Sequence, residues 1–226
     1  MEAVVLAGGM GTRLRSVISD LPKPMAPVAG KPFLEYILTW LASSGAGHIV
    51  LSVGYKWECI RDHFGSRFGG MEIDYSVEDH PLGTGGAVAL AISHTNEHTI
   101  LVVNGDTSFP ISLSELVTHH GKARGATLAL KRMENFDRYG TVVLEGDNIV
   151  AFQEKAPRKS GLINAGIYAL DRNFFSGRGL ADRFSLEQDV LEKEAGQGRL
   201  FGAVFDAPFL DIGIPEDYAR ASEFLC

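Results

Sequence analysis

The chain has 226 residues and a formal net charge of -7 at pH 7. That acidic balance argues against non-specific binding to nucleic acid or to an anionic membrane, although it leaves room for a local phosphate site. Hydrophobic residues make up 45% of the chain, which is ordinary for a soluble globular protein with a sizeable core.

No apolar run approaches the ~20 residues of a membrane-spanning helix, so we expect no membrane span. The first apolar run follows Met1 directly and leaves no space for a signal segment, so we expect a cytoplasmic protein. Cys59 and Cys226 have no metal-ligand spacing.

The first half of the chain alternates between apolar runs typical of buried strands and segments with helical spacing. Predicted strands are 3–7, 48–54, 71–78 and 99–104, and predicted helices are 31–43, 56–64 and 83–93. This alternation predicts an α/β fold with an open, mostly parallel sheet and helices on both faces.

In the second half of the chain, the predicted strands are joined by short connecting segments. Predicted strands are 126–131, 140–145, 149–154, 163–170 and 200–206, and predicted helices are 185–195 and 215–224. The sequence EGDN at 145–148 is typical of a hairpin turn, and Ser185 with Gln188 has capping-box spacing. We expect these strands to extend the same sheet, so that residues 1–226 form one domain.

The organising feature of the sequence is a glycine turn directly after the first predicted strand. AVVLA is followed by GGMGTR, in which Gly8, Gly9 and Gly11 allow backbone N–H groups to crowd against an anion. Arg13 offers a planar fork for phosphate oxygens, and Lys23, held between two prolines on a stiff extended loop, offers a second cation. The pattern predicts a polyphosphate site.

Two better-known phosphate loops do not match this turn. A dinucleotide fingerprint requires a third glycine where Leu14 stands, and the Gly-Lys-Ser/Thr of a Walker A loop occurs nowhere in the chain. The alternative is a plain strand-to-helix turn with ordinary surface cations. The added Arg13 and the Pro-Lys-Pro sequence make that the weaker interpretation.

LAGGMGTRL followed by LPKPMAPVAGKPFLEYIL resembles the signature of sugar-nucleotide pyrophosphorylases, the nucleotidyltransferases that join a nucleoside triphosphate to a sugar 1-phosphate. The resemblance covers nearly the whole chain. It implies the Rossmann-like nucleotide-diphospho-sugar transferase fold, with the nucleotide bound by 1–125 and the sugar phosphate by 126–226. The nucleotide-binding residues expected from these motifs are Leu6, Ala7, Gly8, Gly9, Gly11, Thr12, Arg13, Lys23, Gly54, Glu78, Pro81, Leu82, Gly83, Thr84, Asn104 and Gly105.

Two aspartates each end an apolar run. Asp106 follows ILVVNG at the carboxyl end of a predicted strand, where ligands bind in open α/β sheets, and Asp211 stands in PFLDIG. A lone aspartate after a strand is more often a turn former or a helix cap. Two converging carboxylates are what Mg²⁺ bridging a triphosphate requires, and the resemblance pairs VNGD with LDIG as the metal site.

A second glycine turn, PLGTGGA at 81–87, follows Glu78. It could serve only to start a helix, or it could present a backbone surface whose main-chain groups contact a nucleobase. Similar strings line the nucleobase pocket in the family, which favours the second interpretation. The resemblance places Gly54 nearby, whereas Tyr55 stays open between base contact and ordinary packing.

The resemblance places the sugar phosphate against the second half of the chain, where a lysine holds the 1-phosphate and its neighbours hold hydroxyls. The residues that match the family's motifs are Tyr139, Gly140, Glu154, Lys155, Asn164 and Gly166. Family members often have proline directly after Glu-Lys, whereas Ala156 intervenes here. Taken singly, the Glu-Lys pair could also be an exposed charge pair. Arg132 and Arg138 are weaker candidates for phosphate contact.

Together these features predict Mg²⁺-dependent nucleotidyl transfer, in which a sugar 1-phosphate oxygen attacks the α-phosphorus and pyrophosphate leaves. Arg13, Lys23, Asp106 and Lys155 are the expected catalytic residues, and no nucleophile triad is needed because a phosphate monoester is already anionic. The sequence most resembles guanylyltransferases that use GTP and D-glycero-D-manno-heptose 1-phosphate.

Three alternatives remain: mannose-1-phosphate guanylyltransferases, the short uridylyl- or thymidylyltransferases, and a catalytically silent sugar-nucleotide sensor. Homo-oligomerisation is compatible with the resemblance, and nucleic acid and membrane are not expected partners.

Overall fold

The computed structural model describes residues 1–9, 11, 14, 18, 21–121 and 125–225. The strands are β1 (Glu2–Leu6), β2 (Pro27–Val28), β3 (Lys31–Pro32), β4 (His48–Val53), β5 (Arg67–Phe68), β6 (Met71–Val77), β7 (Thr99–Asn104), β8 (Thr107–Ser108), β9 (Ala126–Phe136), β10 (Thr141–Glu145), β11 (Asn148–Gln153), β12 (Arg158–Asp171), β13 (Leu200–Phe205) and β14 (Leu210–Asp211). The helices are α1 (Phe33–Ser43), α2 (Trp57–Phe64), α3 (Gly83–Ile92), α4 (Leu113–His120), α5 (Glu192–Glu194) and α6 (Pro215–Leu225), with a 3-10 turn at Lys23–Met25 and a π-helical segment at Leu186–Leu191. Within these described ranges, no helix has both the length and the apolarity to span a membrane.

Among the described residues, ten strands form one main sheet in the order β10-β11-β13-β9-β12-β7-β1-β4-β6-β5. The strands β7, β1, β4 and β6 are parallel neighbours, as the alternation in the first half predicts. The strand β12 runs antiparallel to both β7 and β9 and thereby joins the two halves of the chain. The sheet is mixed and open, and its predicted continuation through the second half is confirmed.

Helical elements cover both faces of the main sheet. In β1, Ala3 and Val5 point into one hydrophobic cluster with α1, α2 and α4, whereas Val4 points into another with α3 and the π-helical segment. All three side chains are fully buried. Burial on both faces explains why this strand is a continuous apolar run and does not alternate with polar residues.

Element boundaries differ from the sequence prediction where long-range pairing decides them. The strands β9 and β12 reach 11 and 14 residues because they pair with each other through segments that carry little apolar signal. Helix α1 begins at Phe33, not at 31, because the extended Pro32 pairs with Pro27 of β2. The two-residue strands β8 and β14 were not predicted because a pair this short has no periodicity.

The predicted helix at 185–195 is irregular, with the π-helical segment followed by α5. Ser185 is its N-cap, and the Gln188 N–H donates to Ser185 Oγ (3.2 Å), as the capping-box spacing predicts. The reciprocal bond differs, because the Ser185 N–H donates to Asp189 Oδ2 (2.8 Å) and not to the side chain of Gln188. The wider π-helical turn moves the capping group by one position.

An ion network joins the amino ends of three neighbouring strands. In it, His48 Nδ1 lies 2.9 Å from Glu2 Oε1 and His48 Nε2 lies 3.1 Å from Asp74 Oδ2. Burial alone would lower the pKa of His48, but the hydrogen bonds and charges of the two carboxylates raise it above its ordinary value. Both ring nitrogens can donate only in the protonated imidazole.

Replacing His48 with Gln is expected to lower the free energy of unfolding by about 0.5–1 kcal/mol near pH 5.5, because the ion pairs of His48 with Glu2 and Asp74 are partly exposed. A raised pKa in the folded state means that this stabilisation is complete below the unfolded pKa of ~6.5 and disappears as pH rises through the folded value. Urea unfolding of both proteins between about pH 5.5 and pH 8.5 measures the difference. In an Asp74→Asn background the difference should shrink, and a difference independent of pH would contradict the assignment.

Candidate active site

A cavity of about 620 Å³ opens at the carboxyl ends of the parallel strands. This is the edge at which open α/β sheets bind ligands. The predicted nucleotide residues on its wall are Leu6, Gly8, Gly9, Lys23, Gly54, Glu78, Pro81, Gly83, Thr84 and Asn104, and Asp106 joins them. The structure thus brings together residues from the first turn, the second glycine turn and the end of β7.

At this edge of the sheet, neighbouring segments lie so close to the backbone of Gly8 and Gly105 that a side chain would not fit. A Cβ atom at Gly8 would lie 2.7 Å from Glu78 Oε1 and 3.2 Å from the Gly54 nitrogen. The Gly105 N–H donates to the Leu6 carbonyl (2.9 Å), and a Cβ atom there would lie 2.5 Å from the same oxygen. These contacts hold three strand ends together and leave the cavity wall without side chains at these points.

Some predicted nucleotide residues are placed elsewhere or lie outside the description. Thr12 and Arg13 lie outside the described residues. Of the described ones, Ala7, Gly11, Leu82 and Gly105 do not line the first cavity. At Gly11, φ is +55°, and a Cβ atom would lie 2.9 Å from Lys23 Cβ, so the first turn packs directly on the lysine segment.

The segment around Lys23 is more compact than predicted. Pro22 is extended, but Lys23 begins the 3-10 turn, so the expectation of an extended loop is wrong at the lysine itself. The turn directs Lys23 Nζ to within 2.5 Å of Asp106 Oδ2. The two side chains are 13% and 35% exposed, so this ion pair is partly shielded from water.

The two predicted metal ligands meet through the backbone. In the two-stranded sheet of β8 and β14, Asp211 is the register partner of Thr107, and the Ile212 N–H donates to the Asp106 carbonyl (3.0 Å). A stretch near residue 210 is thereby fixed beside the end of β7. The two aspartates are thus neighbours in the fold, and their role as metal ligands stays a prediction.

The charge of Asp106 acts on the carboxyl group of Asp211. Burial, then the neighbouring charge of Asp106, raises the pKa of Asp211, while Lys23, the Gly213 N–H and Arg138 partly offset the rise. The Gly213 N–H donates to Asp211 Oδ1 at 2.7 Å. No cluster of three or more potential metal-binding side chains occurs in the described part of the chain. A metal held here would therefore take its other ligands from substrate oxygens or water.

A second cavity, of about 580 Å³, is lined by Asp211, whereas Asp106 lines the first. The predicted sugar-phosphate residues on its wall are Tyr139, Gly140, Glu154, Lys155 and Asn164, together with Asp211. Gly166 lies behind this wall, where a Cβ atom would be 2.5 Å from Asn104 Nδ2. Its φ of +73° and its N–H bond to Asn164 Oδ1 (3.1 Å) orient that asparagine.

Tyr139 and Arg138 line this cavity together with Asp211 and contact each other. The guanidinium of Arg138 lies 5.4 Å from the centre of the Tyr139 ring and forms an ion pair with Asp217. Burial, then the charge of Asp211, raises the pKa of Tyr139 to about 12, so the phenol stays neutral at physiological pH. Arg138 was a weak candidate from sequence, and it does line the cavity.

The second glycine turn is held by protein contacts more than predicted. The Leu82 N–H donates to Glu78 Oε2 (2.9 Å), and the N–H groups of Gly85 and Gly86 donate to the Phe184 carbonyl (3.0 and 3.3 Å). Three backbone donors are therefore satisfied within the protein and not by a base. Only Pro81, Gly83 and Thr84 of this turn line the first cavity, so the expected contact of the turn with a nucleobase is limited to these three residues.

Several wall residues were not predicted. In the first cavity they are Pro24, Tyr55, Asp79, His80 and Ala87, of which Tyr55 had been left open. In the second they include Gln153, Ser185, Glu187, Gln188 and Glu192. The available signal was the polar character of the helix start at 185–188, which the sequence interpretation did not assign to a binding site.

Comparison with known proteins agrees with this geometry. The nucleotidyl transferase family model matches residues 2–226. The chain belongs to the nucleotidyl transferase family. Two relatives called D-glycero-alpha-D-manno-heptose 1-phosphate guanylyltransferase match this nucleotidyl transferase over nearly their whole length. The Aneurinibacillus thermoaerophilus protein is 47% identical, covering 100% of this chain and 98% of the relative, and the Campylobacter jejuni protein is 46% identical, covering 96% and 97%.

A solved structure shares the fold of this nucleotidyl transferase. HddC from Yersinia pseudotuberculosis, crystallised with GMP-PN, is 34% identical with a TM-score of 0.88, and 98% of each chain is covered. The α/β nucleotidyltransferase fold that the sequence predicts is confirmed.

Proposed function

We propose that this nucleotidyl transferase joins GTP to D-glycero-D-manno-heptose 1-phosphate and releases pyrophosphate, forming a GDP-heptose. The observation that carries the proposal is a pair of cavities, one lined by Asp106 and the other by Asp211, with the two aspartates held next to each other by the pairing of β8 with β14. A reaction between two bound phosphates needs two neighbouring sites with charge compensation at their junction. The choice of substrates is supported by the identity of 46–47% to the two heptose 1-phosphate guanylyltransferases.

Guanine suits the side chains of the first cavity. Glu78 and Asp79 both line it, and both offer carboxylate oxygens as acceptors. Guanine presents the N1–H and N2–H₂ donors along one edge, whereas uracil and thymine present one N–H between two carbonyls. A carboxylate can accept two parallel N–H bonds from guanine but is repelled by the carbonyls of the pyrimidines.

The chain's own residues perform positioning and charge compensation. Lys23 would leave Asp106 to bind the triphosphate, and Lys155, exposed on the wall of the second cavity, would hold the 1-phosphate of the sugar. Arg13 is proposed as a second cation for the triphosphate. An anionic phosphate oxygen can attack in line without a general base, so the two lysines orient the reactants and compensate their repulsion.

The carboxylate pair fits a magnesium ion. Asp106 and Asp211 are oxygen ligands of the kind that Mg²⁺ prefers, and burial, followed by the charge of Asp106, raises the pKa of Asp211. When bound, the ion would supply charge compensation for the phosphate oxygens. We place the reaction in the cytoplasm, where nucleoside triphosphates are available.

A substrate matrix tests the proposal. Pyrophosphate release is measured for GTP, ATP, UTP and dTTP, each with heptose, mannose, glucose and N-acetylglucosamine 1-phosphates, with and without Mg²⁺. We expect GTP with the heptose 1-phosphate to give the highest kcat/KM, and Mg²⁺ removal to abolish release. A higher kcat/KM with mannose 1-phosphate would replace the proposed sugar, and no release from any pair would favour the silent sensor.

A further inference from the structure

Glu187 lies on the wall of the second cavity and accepts a hydrogen bond from Thr84, which lines the first. It lies in the first turn of the π-helical segment and lines the second cavity. Its carboxylate is half-buried, and neither the sequence motifs nor the charge-compensating role of the lysines involves it. A π-helical turn in place of an α-helical one often occurs at a functional position.

One carboxylate oxygen of Glu187 accepts hydrogen bonds on the side of the first cavity, where the nucleotide is proposed to bind. Thr84 Oγ1, whose residue lines the first cavity, donates to Glu187 Oε2 (2.7 Å), and Ser185 Oγ donates to the same oxygen (3.0 Å). The Leu186 N–H donates in turn to Thr84 Oγ1 (2.9 Å). Thr84 is thereby fixed by two hydrogen bonds, both from the turn that carries Glu187.

The other carboxylate oxygen of Glu187 is connected through Tyr168 to Asn164 in the second cavity, where the sugar phosphate is proposed to bind. Tyr168 OH donates to Glu187 Oε1 (3.4 Å), and Asn164 Nδ2 donates to Tyr168 OH (3.0 Å). Tyr168 is fully buried, and burial followed by the charge of Glu187 raises the pKa of the phenol well above its ordinary value. The hydroxyl therefore keeps its proton and can accept from Asn164 while it donates to Glu187.

We infer that Glu187 is a positioning residue that couples the two substrate sites through the chain Thr84–Glu187–Tyr168–Asn164. Thr84 lines the first cavity and Asn164 lines the second, so a displacement of Thr84 by bound nucleotide is passed through Glu187 and Tyr168 to the side chain of Asn164. Binding of either substrate then prepares the site for the other, and the coupling is reciprocal. The inference rests on the proposed function, because it assigns the nucleotide to the first cavity and the sugar phosphate to the second.

The coupling is measured as the ratio of the dissociation constants of a non-hydrolysable GTP analogue, determined by calorimetry without and with saturating heptose 1-phosphate. Wild-type protein is expected to bind the analogue roughly 5–50-fold more tightly with the sugar phosphate present. Glu187→Ala should bring this ratio close to one. Glu187→Gln should recover part of it, because an amide oxygen still accepts from Thr84. Glu145→Ala, which removes an exposed carboxylate at the hairpin turn, should keep the wild-type ratio.

A double-mutant cycle separates a coupling role from a structural one. Thr84→Val alone should reduce the ratio to the level of Glu187→Ala, and the combination should reduce it no further, because both remove the same link. Thermal unfolding of each variant verifies that it is folded. A wild-type ratio near one, or a full ratio retained in Glu187→Ala, would overturn the inference while leaving the proposed function intact. Failure of wild-type protein to bind either ligand would overturn both.

Discussion

Replacing Asp106 with Asn is expected to lower kcat for pyrophosphate release by about 10²–10³, with the protein still folded. The change keeps the size of the side chain but removes one of the two charges of the aspartate pair. It removes both the proposed metal ligand and the carboxylate that holds Lys23 beside the site. Steady-state assays of pyrophosphate release with saturating GTP, sugar 1-phosphate and Mg²⁺ measure the effect.

The second carboxylate provides the internal comparison. Asp211→Asn should lower kcat by a similar factor, and the double variant should be little worse than either single one, since the two side chains act as a unit. Asp147→Asn serves as a matched control because Asp147 is an exposed aspartate in the turn between β10 and β11. Near-normal kcat in a folded Asp106→Asn protein would show that the site has been assigned to the wrong residues.

Replacing Glu78 with Gln is expected to lower the ratio of kcat/KM for GTP to that for UTP by about 10². A hydrogen bond to a charged group contributes roughly 1.5–3 kcal/mol, and each 1.4 kcal/mol corresponds to a factor of ten. Glutamine keeps an oxygen that can accept from the Leu82 N–H, so the second glycine turn should stay in place. Its amide N–H₂ would repel the donors of guanine and suit a carbonyl of uracil.

Asp79 provides the alternative and the control. It lines the same cavity, and its side chain is exposed, so Asp79→Asn changes the same chemical group one residue further on. We expect this variant to keep the wild-type ratio. If the ratio falls in Asp79→Asn and stays unchanged in Glu78→Gln, guanine is selected by Asp79. If neither variant changes it, carboxylates do not select the base.

The first half of the fold is predictable because its signals are local. Buried parallel strands are apolar on both faces, so β1, β4 and β7 can be recognised in the sequence as short apolar runs. Each run ends shortly before a glycine that begins a turn. The glycines of the first turn were predicted from their chemistry, and the close approach of Gly8 to Glu78 and Gly54 gives the structural reason.

The pairing of Asp106 with Asp211 was not available from local pattern. The two residues are far apart in sequence, and the strands that join them, β8 and β14, have two residues each. Only the resemblance to a family connected them. In the same way, the contacts of Phe184 with Gly85 and of Glu187 with Thr84 depend on a helix start about a hundred residues away, which no periodicity specifies.

The order of the strands along the chain separates the completion of the sheet from the completion of the catalytic centre. The last strand of the main sheet, β13, ends at Phe205, whereas the second carboxylate follows in β14. A ribosome-bound chain synthesised only as far as β13 therefore contains every strand of the main sheet and still lacks Asp211. If Asp211 acts as proposed, such a nascent chain has all the strands of its sheet before it can become active.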